Sequence, residues 1–133
     1  MHRSIWGCVL DAIDLGVHPP KRCVIKEYWH CVATDIYGRD STDHALLEAS
    51  ILDEYSRDCN IPQLYETIVG NETHYLITEK IQGQNLAEKL GLSLRGHPEI
   101  DLGSLIRIGQ SIAKAIASLN KRNIVHRDIK PSN

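Results

Sequence analysis

The chain has 133 residues, with 15 Lys and Arg against 17 Asp and Glu, for a formal net charge of −2. That is enough for one modest core and short of two full domains, and the charge balance gives no electrostatic case for nucleic acid or an anionic membrane. No apolar run approaches the ~18 residues of a membrane span. The four cysteines, Cys8, Cys23, Cys31 and Cys59, form no C-x-x-C pair, which points to reduced thiols and a cytoplasmic setting.

In chain order, the stretch from Ile5 to Ile13 reads as a strand, followed by a turn at Gly16 to Pro20. Ile5-Trp6-Gly7-Cys8 has the outline of a lipoprotein cleavage box but lies too near Met1 to follow a signal peptide. Arg22 to Tyr28 reads as a second strand, with Lys26 emerging among apolar neighbours. His30-Cys31 has no partner pair at metal-ligand spacing, so a structural role is expected there. After a loop at Asp35 to Asp40, residues 42–56 read as a helix with an apolar stripe of Leu46, Leu47, Ile51, Leu52 and Tyr55. Asp58-Cys59-Asn60 ends it.

Gln63 to Val69 and Thr73 to Glu79 have strand character, and Gly70-Asn71-Glu72 joins them as a hairpin. Leu86 to Leu90 predicts one or two helical turns, and 91–100, with Gly91, Gly96 and Pro98, a surface linker. Residues 101–121 predict an amphipathic helix capped by Asp101, with Leu105, Ile108, Ile112, Ile116 and Leu119 at spacings of three and four. Ile124-Val125 then reads as a short buried extension that delivers a polar loop. There is no internal repeat and no low-complexity segment.

That loop, His126-Arg127-Asp128-Ile129-Lys130-Pro131-Ser132-Asn133, carries most of the chemistry. It fits H-R-D-x-x-x-x-N, and six fixed residue types in eight positions coincide by chance on the order of 10⁻⁸ per window. Phosphoryl transfer needs a carboxylate near the acceptor hydroxyl, a cation near the migrating phosphate and an oxygen ligand for Mg²⁺. Asp128, Lys130 and Asn133 supply all three. Pro131 favours a loop over a continued helix, and His126 and Arg127 are read as supports. His126 is expected to pack and hydrogen-bond beneath the loop, while Arg127 is suited to a phosphate or carboxylate.

This motif and the order of elements before it resemble the first half of a eukaryotic-type protein kinase domain of the Ser/Thr class. The resemblance runs from about Gly7 to Asn133. It implies an α+β fold, with a kinase-like N-lobe of antiparallel sheet plus one helix at about 1–79. A hinge at 80–85 and the start of a helical C-lobe at 86–133 follow. Val24-Ile25-Lys26 resembles the V-A-I-K strand, whose lysine contacts the α- and β-phosphates of ATP. Glu48 matches the helical glutamate that pairs with it, with Glu54 as the rival. By the same resemblance Thr78 stands at the back of the nucleotide pocket, backbone groups of Glu79 and Ile81 read the adenine edge, and Asn85 lies near the ribose. Asn133 would hold Mg²⁺. Lys130 fits the Arg-Asp-x-Lys form usual in Ser/Thr kinases, which implies a protein or peptide substrate.

Two departures accompany the resemblance. Gly7-Cys8-Val9 fits the end of G-x-G-x-x-G-x-V, but His2 and Ser4 stand where the first two glycines would be. D-F-G, the activation loop and A-P-E do not occur in these residues. A C-terminal lobe is therefore expected in the full-length protein, and these 133 residues alone are expected to be poorly soluble and to show negligible turnover. Three alternatives stay open: a pseudokinase or binding module, the kinase-like domain of a class III lanthionine synthetase, and a kinase-like small-molecule phosphotransferase. The second rests on Lys21 to Lys26, Asp35 to Asp40 and Leu47-Glu48. The third ranks last, because such enzymes tend to lack the Lys130-Pro131 pair.

Overall fold

The structure, a computed structural model, describes residues 2–4, 7–30, 34–57, 61–91 and 100–132. The chain divides into two compact units, Met1–Ile81 and Gln82–Asn133. Each is described by itself.

The first unit is α+β, as expected. Its strands are β1 (His2–Ser4), β2 (Gly7–Asp14), β3 (Lys21–Trp29), β4 (Leu64–Val69) and β5 (Thr73–Glu79), with helix α1 (Ser41–Tyr55) between β3 and β4. All pairings are antiparallel, and the strand order is β1-β2-β3-β5-β4. The strand expected from Ile5 to Ile13 forms as β2, and a further short strand not expected from the sequence, β1, precedes it, with His2, Arg3 and Ser4 opposite Val9, Cys8 and Gly7. Ile5 and Trp6 lie outside the described residues. The hairpin of β4 and β5 forms as the turn residues require, with the Gly70 N–H donating to the Thr73 carbonyl at 2.9 Å. A bulge at Tyr65 shifts the register between Leu64 and Glu66.

Helix α1 packs on β3, β4 and β5, through only part of the expected stripe: Leu52 is buried and Ile51 and Tyr55 are half-buried. Leu46 and Leu47 are 49% and 43% exposed, whereas Ala45 is 1% exposed and Ser41 and Leu52 are buried. The inward face is Ser41, Ala45, Glu48, Ala49 and Leu52, at spacings of four, three, one and three, which share one side of a helix. Small residues let the helix approach the sheet, and Leu52 joins Ala45 and Leu76 in the core, flanked by Tyr28, Ala49, Ile61 and Leu64. A hydrophobicity pattern cannot select a face that carries Ser, Ala and a carboxylate.

The start of α1 is set locally. Asp40 accepts from the Asp43 N–H at 2.9 Å, and the Asp43 carboxylate accepts from the Asp40 N–H at 3.1 Å, a reciprocal cap. Just before it, Asp35 accepts from the backbone of Tyr37 and Arg39 and from the Arg39 guanidinium, and lies 3.3 Å from His44 Nε2. Burial pushes the Asp35 carboxyl upward, but these hydrogen bonds together outweigh it and hold the group below its ordinary value. Replacing Asp40 by Ala is expected to cost about 1 kcal/mol of stability, read as a lower urea midpoint at unchanged slope. An unmoved midpoint would show that the cap is dispensable.

Cys8 and Cys23 are buried thiols outside any disulfide, as expected for reduced cysteines. Cys31 and Cys59 lie outside the described residues. Cys8 Sγ donates to the Glu27 carboxylate at 3.0 Å, and the Tyr75 hydroxyl donates to the same group at 3.2 Å. These three occupy the sheet face opposite α1, because residues directly across an antiparallel pair share a face.

The second unit contains α2 (Leu86–Lys89) and α3 (Leu102–Asn120). The linker expected at 91–100 lies mostly outside the described residues. Asp101 caps α3 through the Ser104 N–H at 2.9 Å. At the other end Asn123 takes φ 59°, and the Ile124 N–H closes back on the Leu119 carbonyl at 3.1 Å. Asparagine tolerates this left-handed geometry, which satisfies a terminal carbonyl. Leu119 is buried, but Leu102, Leu105, Ile106 and Ile112 are exposed. The buried extension expected at Ile124-Val125 is corrected: Ile124 is only partly buried and Val125 is 64% exposed. No helix among the described residues is long and apolar enough to cross a membrane.

Candidate active site

In the first unit the site is built from β3 outward. Residues 24, 26 and 28 point to one face by strand alternation, and α1 covers that face. Lys26 Nζ forms an ion pair with Glu48 Oε1, their side chains 35% and 29% exposed. The Tyr28 hydroxyl donates to the other oxygen, Glu48 Oε2. Glu54, the rival carboxylate, is exposed. Burial, then the Glu48 charge and the hydrogen bond to it, push the Tyr28 phenol far above its ordinary value. It stays neutral and donates.

The register places the other expected residues. Val9 lies directly opposite Lys26, Leu76 lies on its other side, and Thr78 lies opposite Val24. Val9, Val24, Lys26 and Thr78 therefore share the Lys26 face. Thr78 is buried and Val9 partly exposed. Glu79 ends β5, its N–H donating to the Gln63 carbonyl at 2.8 Å, and Ile81 follows, exposed.

Gly7 is held by sterics. With φ at 155°, it faces Tyr28 in the register, and a Cβ on it would lie 1.7 Å from the Glu27 carbonyl oxygen. A glycine at this place in the pattern has a reason in strand packing, separate from any approach to phosphate.

In the second unit the polar loop follows α3. Asp128 and Lys130 meet: Lys130 Nζ donates to both carboxylate oxygens, at 3.0 and 2.9 Å. The Asp128 N–H lies 3.3 Å from His126 Nδ1, which accepts it, so His126 supports the loop as expected. It does so from an exposed position rather than packed beneath. Arg127 has φ 64°, a conformation non-glycine residues adopt at some cost. The Pro131 carbonyl accepts from the Ala87 N–H at 2.7 Å, which ties the loop to the first turn of α2. Asn85 caps α2: its side-chain oxygen accepts from the Glu88 N–H at 2.8 Å. Asn133 lies outside the described residues. Among those residues no group of His, Cys, Asp and Glu could hold a metal ion.

Sequence reasoning missed Tyr28. The signal was present, a hydroxyl two residues from Lys26 and hence on the same strand face, but only the position of α1 gives it a partner.

An antiparallel sheet carrying a lysine paired to a helical glutamate, followed in the chain by a helix ending in an H-R-D loop, defines a class of phosphotransferase fold. A family profile described as the protein kinase domain matches residues 21–133, and the chain belongs to that family. A receptor protein-tyrosine kinase of Arabidopsis thaliana, CEPR2, is 37% identical over 98 residues, covering 71% of this chain and 10% of that protein. Ribosomal protein S6 kinase 2 alpha of Gallus gallus is 30% identical over 126 residues, covering 94% of this chain and 16% of its own length. The chain thus spans only a small part of the curated relatives it matches. Among solved structures, Rad53 1-466 in complex with AMP-PNP aligns with a TM-score of 0.72 at 21% identity, covering 98% of this chain and 31% of that one. The fold is that of a kinase N-lobe with the start of the helical C-lobe.

Proposed function

We propose that this chain is the ATP-site portion of a protein kinase that transfers phosphoryl groups to Ser/Thr hydroxyls of a protein or peptide. The N-lobe is assigned to about 1–79, the hinge to 80–85 and the beginning of the C-lobe to 86–133. The observation that carries the reading is the Lys26–Glu48 pair, a lysine fixed by a helix on the face it shares with Val9 and Thr78. ATP with Mg²⁺ supplies the transferable phosphoryl group when bound.

The donor set suits such a ligand. Lys26 offers a cation for the α- and β-phosphates, and Glu48 holds it in place. Gly7 and Val9 lie on β2 and Thr78 on β5, and Thr78 is assigned to the back of the nucleotide pocket. The backbone of Glu79 and Ile81 reads the adenine edge and Asn85 serves the ribose, although its side-chain oxygen already caps α2. Asp128 orients the acceptor hydroxyl and takes its proton, and Lys130 offsets charge on the migrating group. Asn133 holds the metal. Lys130 beside Asp128 favours the Ser/Thr class, as does a relative from Clostridium acetobutylicum named a probable serine/threonine-protein kinase, whereas CEPR2 is named a protein-tyrosine kinase.

A second reading, nucleotide binding without turnover, draws on His2 and Ser4 standing at the first two glycine positions, in a strand paired with β2. Transfer of labelled phosphate from ATP·Mg²⁺ by the full-length protein separates the two. Lys26→Met is expected to lower that transfer at least ~10²-fold. No transfer by the unaltered protein, with nucleotide still bound, would leave the second reading.

A further inference from the structure

We infer that Tyr28 is a positioning residue for the proposed reaction, fixing the Glu48 carboxylate so that its other oxygen holds Lys26; this rests on the function proposed above. Three observations carry it. The two donors come from one strand, two residues apart and so on one face, and each takes a different oxygen of the same carboxylate. The Tyr28 ring packs against the core of Ala45, Leu52 and Leu76, so its hydroxyl is delivered from a fixed body. Lys26 and Glu48, by contrast, are each about one-third exposed.

The physical need follows from the side chains. A partly exposed pair between a flexible lysine and a flexible glutamate is weakly ordered by itself, because rotamer entropy and solvent screening oppose it. One contact also sets only a distance. A second donor, on a side chain with just two χ angles, sets the rotation of the carboxylate as well and defines where α1 sits along β3. Tyr28 adds this without charge, so it does not compete with Lys26 for the negative group. Its phenol, kept neutral by burial and by Glu48, remains a donor across the working pH range.

The test is a double-mutant cycle in the full-length protein: unaltered, Tyr28→Phe, Glu48→Leu and both together, leucine removing the acceptor for the hydroxyl. Phenylalanine keeps the ring in the core and removes only the hydroxyl. Tyr28→Phe is expected to lower kcat/KM for ATP about 5-fold when Glu48 is present, and less than twofold when Glu48→Leu is already in place. A residue that only packs would lose the same factor in both backgrounds, and that outcome, or no loss in either, overturns the inference. Thermal unfolding of the four proteins gives a readout independent of turnover. There Tyr28→Phe is expected to lower Tm only in the presence of Glu48, and equal shifts overturn the pairing. A protein that transfers no phosphate defeats the proposed reaction and the positioning role with it, while unfolding still decides whether the tyrosine and glutamate are coupled.

Discussion

Asp128→Asn in the full-length protein is expected to reduce phosphoryl transfer by about 10²–10⁴-fold, the usual contribution of a positioned proton acceptor. Asparagine keeps the size and planarity of the side chain. The support from His126 goes to the backbone N–H of residue 128, which the substitution leaves in place. The loop also keeps its tie to α2 through the Pro131 carbonyl. What is lost is the negative charge, and with it both a base for the acceptor hydroxyl and the group that holds Lys130 at 2.9–3.0 Å. Asp128 is well exposed, so the fold should tolerate the change, and its melting temperature should stay within a degree or two. The nucleotide Kd is expected to change less than twofold, because Lys26 and Glu48 are untouched. Radiolabel transfer and isothermal titration on one preparation decide it: transfer at the unaltered rate would remove Asp128 from the reaction.

The largest expected loss of stability lies elsewhere. Gly7→Ala should destabilise the protein by about 3 kcal/mol or more, combining overpacking against backbone with an unfavourable φ. The atom a new Cβ meets is the Glu27 carbonyl oxygen, at 1.7 Å, with the Glu27 carbonyl carbon at 2.8 Å and the Tyr28 Cα at 3.1 Å. None of these is the far end of a flexible side chain. Relief would require β2 and β3 to separate at their paired residues 7 and 28, which are next to the strand segment that carries Lys26. Urea unfolding should show a much lower midpoint, or the variant should fail to accumulate in soluble form. A midpoint within about 0.5 kcal/mol of the unaltered protein would show that the strands yield more readily than backbone contacts allow. Nucleotide affinity should fall along with stability, because the clash lies two residues from Val9, the cross-strand neighbour of Lys26.

Much of the site was legible before folding. Asp128 and Lys130 were readable because a loop motif fixes residue types at short spacing, and short spacing survives any tertiary arrangement. Their side chains do meet. Lys26 and Glu48 were readable through the same resemblance, and the ion pair forms between them rather than with Glu54. The helix start at Asp101 and the hairpin of β4 and β5 followed from capping and turn chemistry, which acts within a few residues.

What the sequence alone determined, then, is what local forces set: element order, caps, turns and the motif-bearing loop. The tertiary structure decided everything that depends on which surface meets which. It turned Ala45 and Glu48 of α1 inward and left Leu46 and Leu47 at the surface, because close approach to the sheet needs small residues and the ion pair needs the carboxylate. It gave Tyr28 a partner on another element, and it made Gly7 obligatory through a carbonyl twenty residues away in the chain. Burial and partnership come from the sum of long-range contacts, and a periodicity read along one segment contains no term for the segment packed against it.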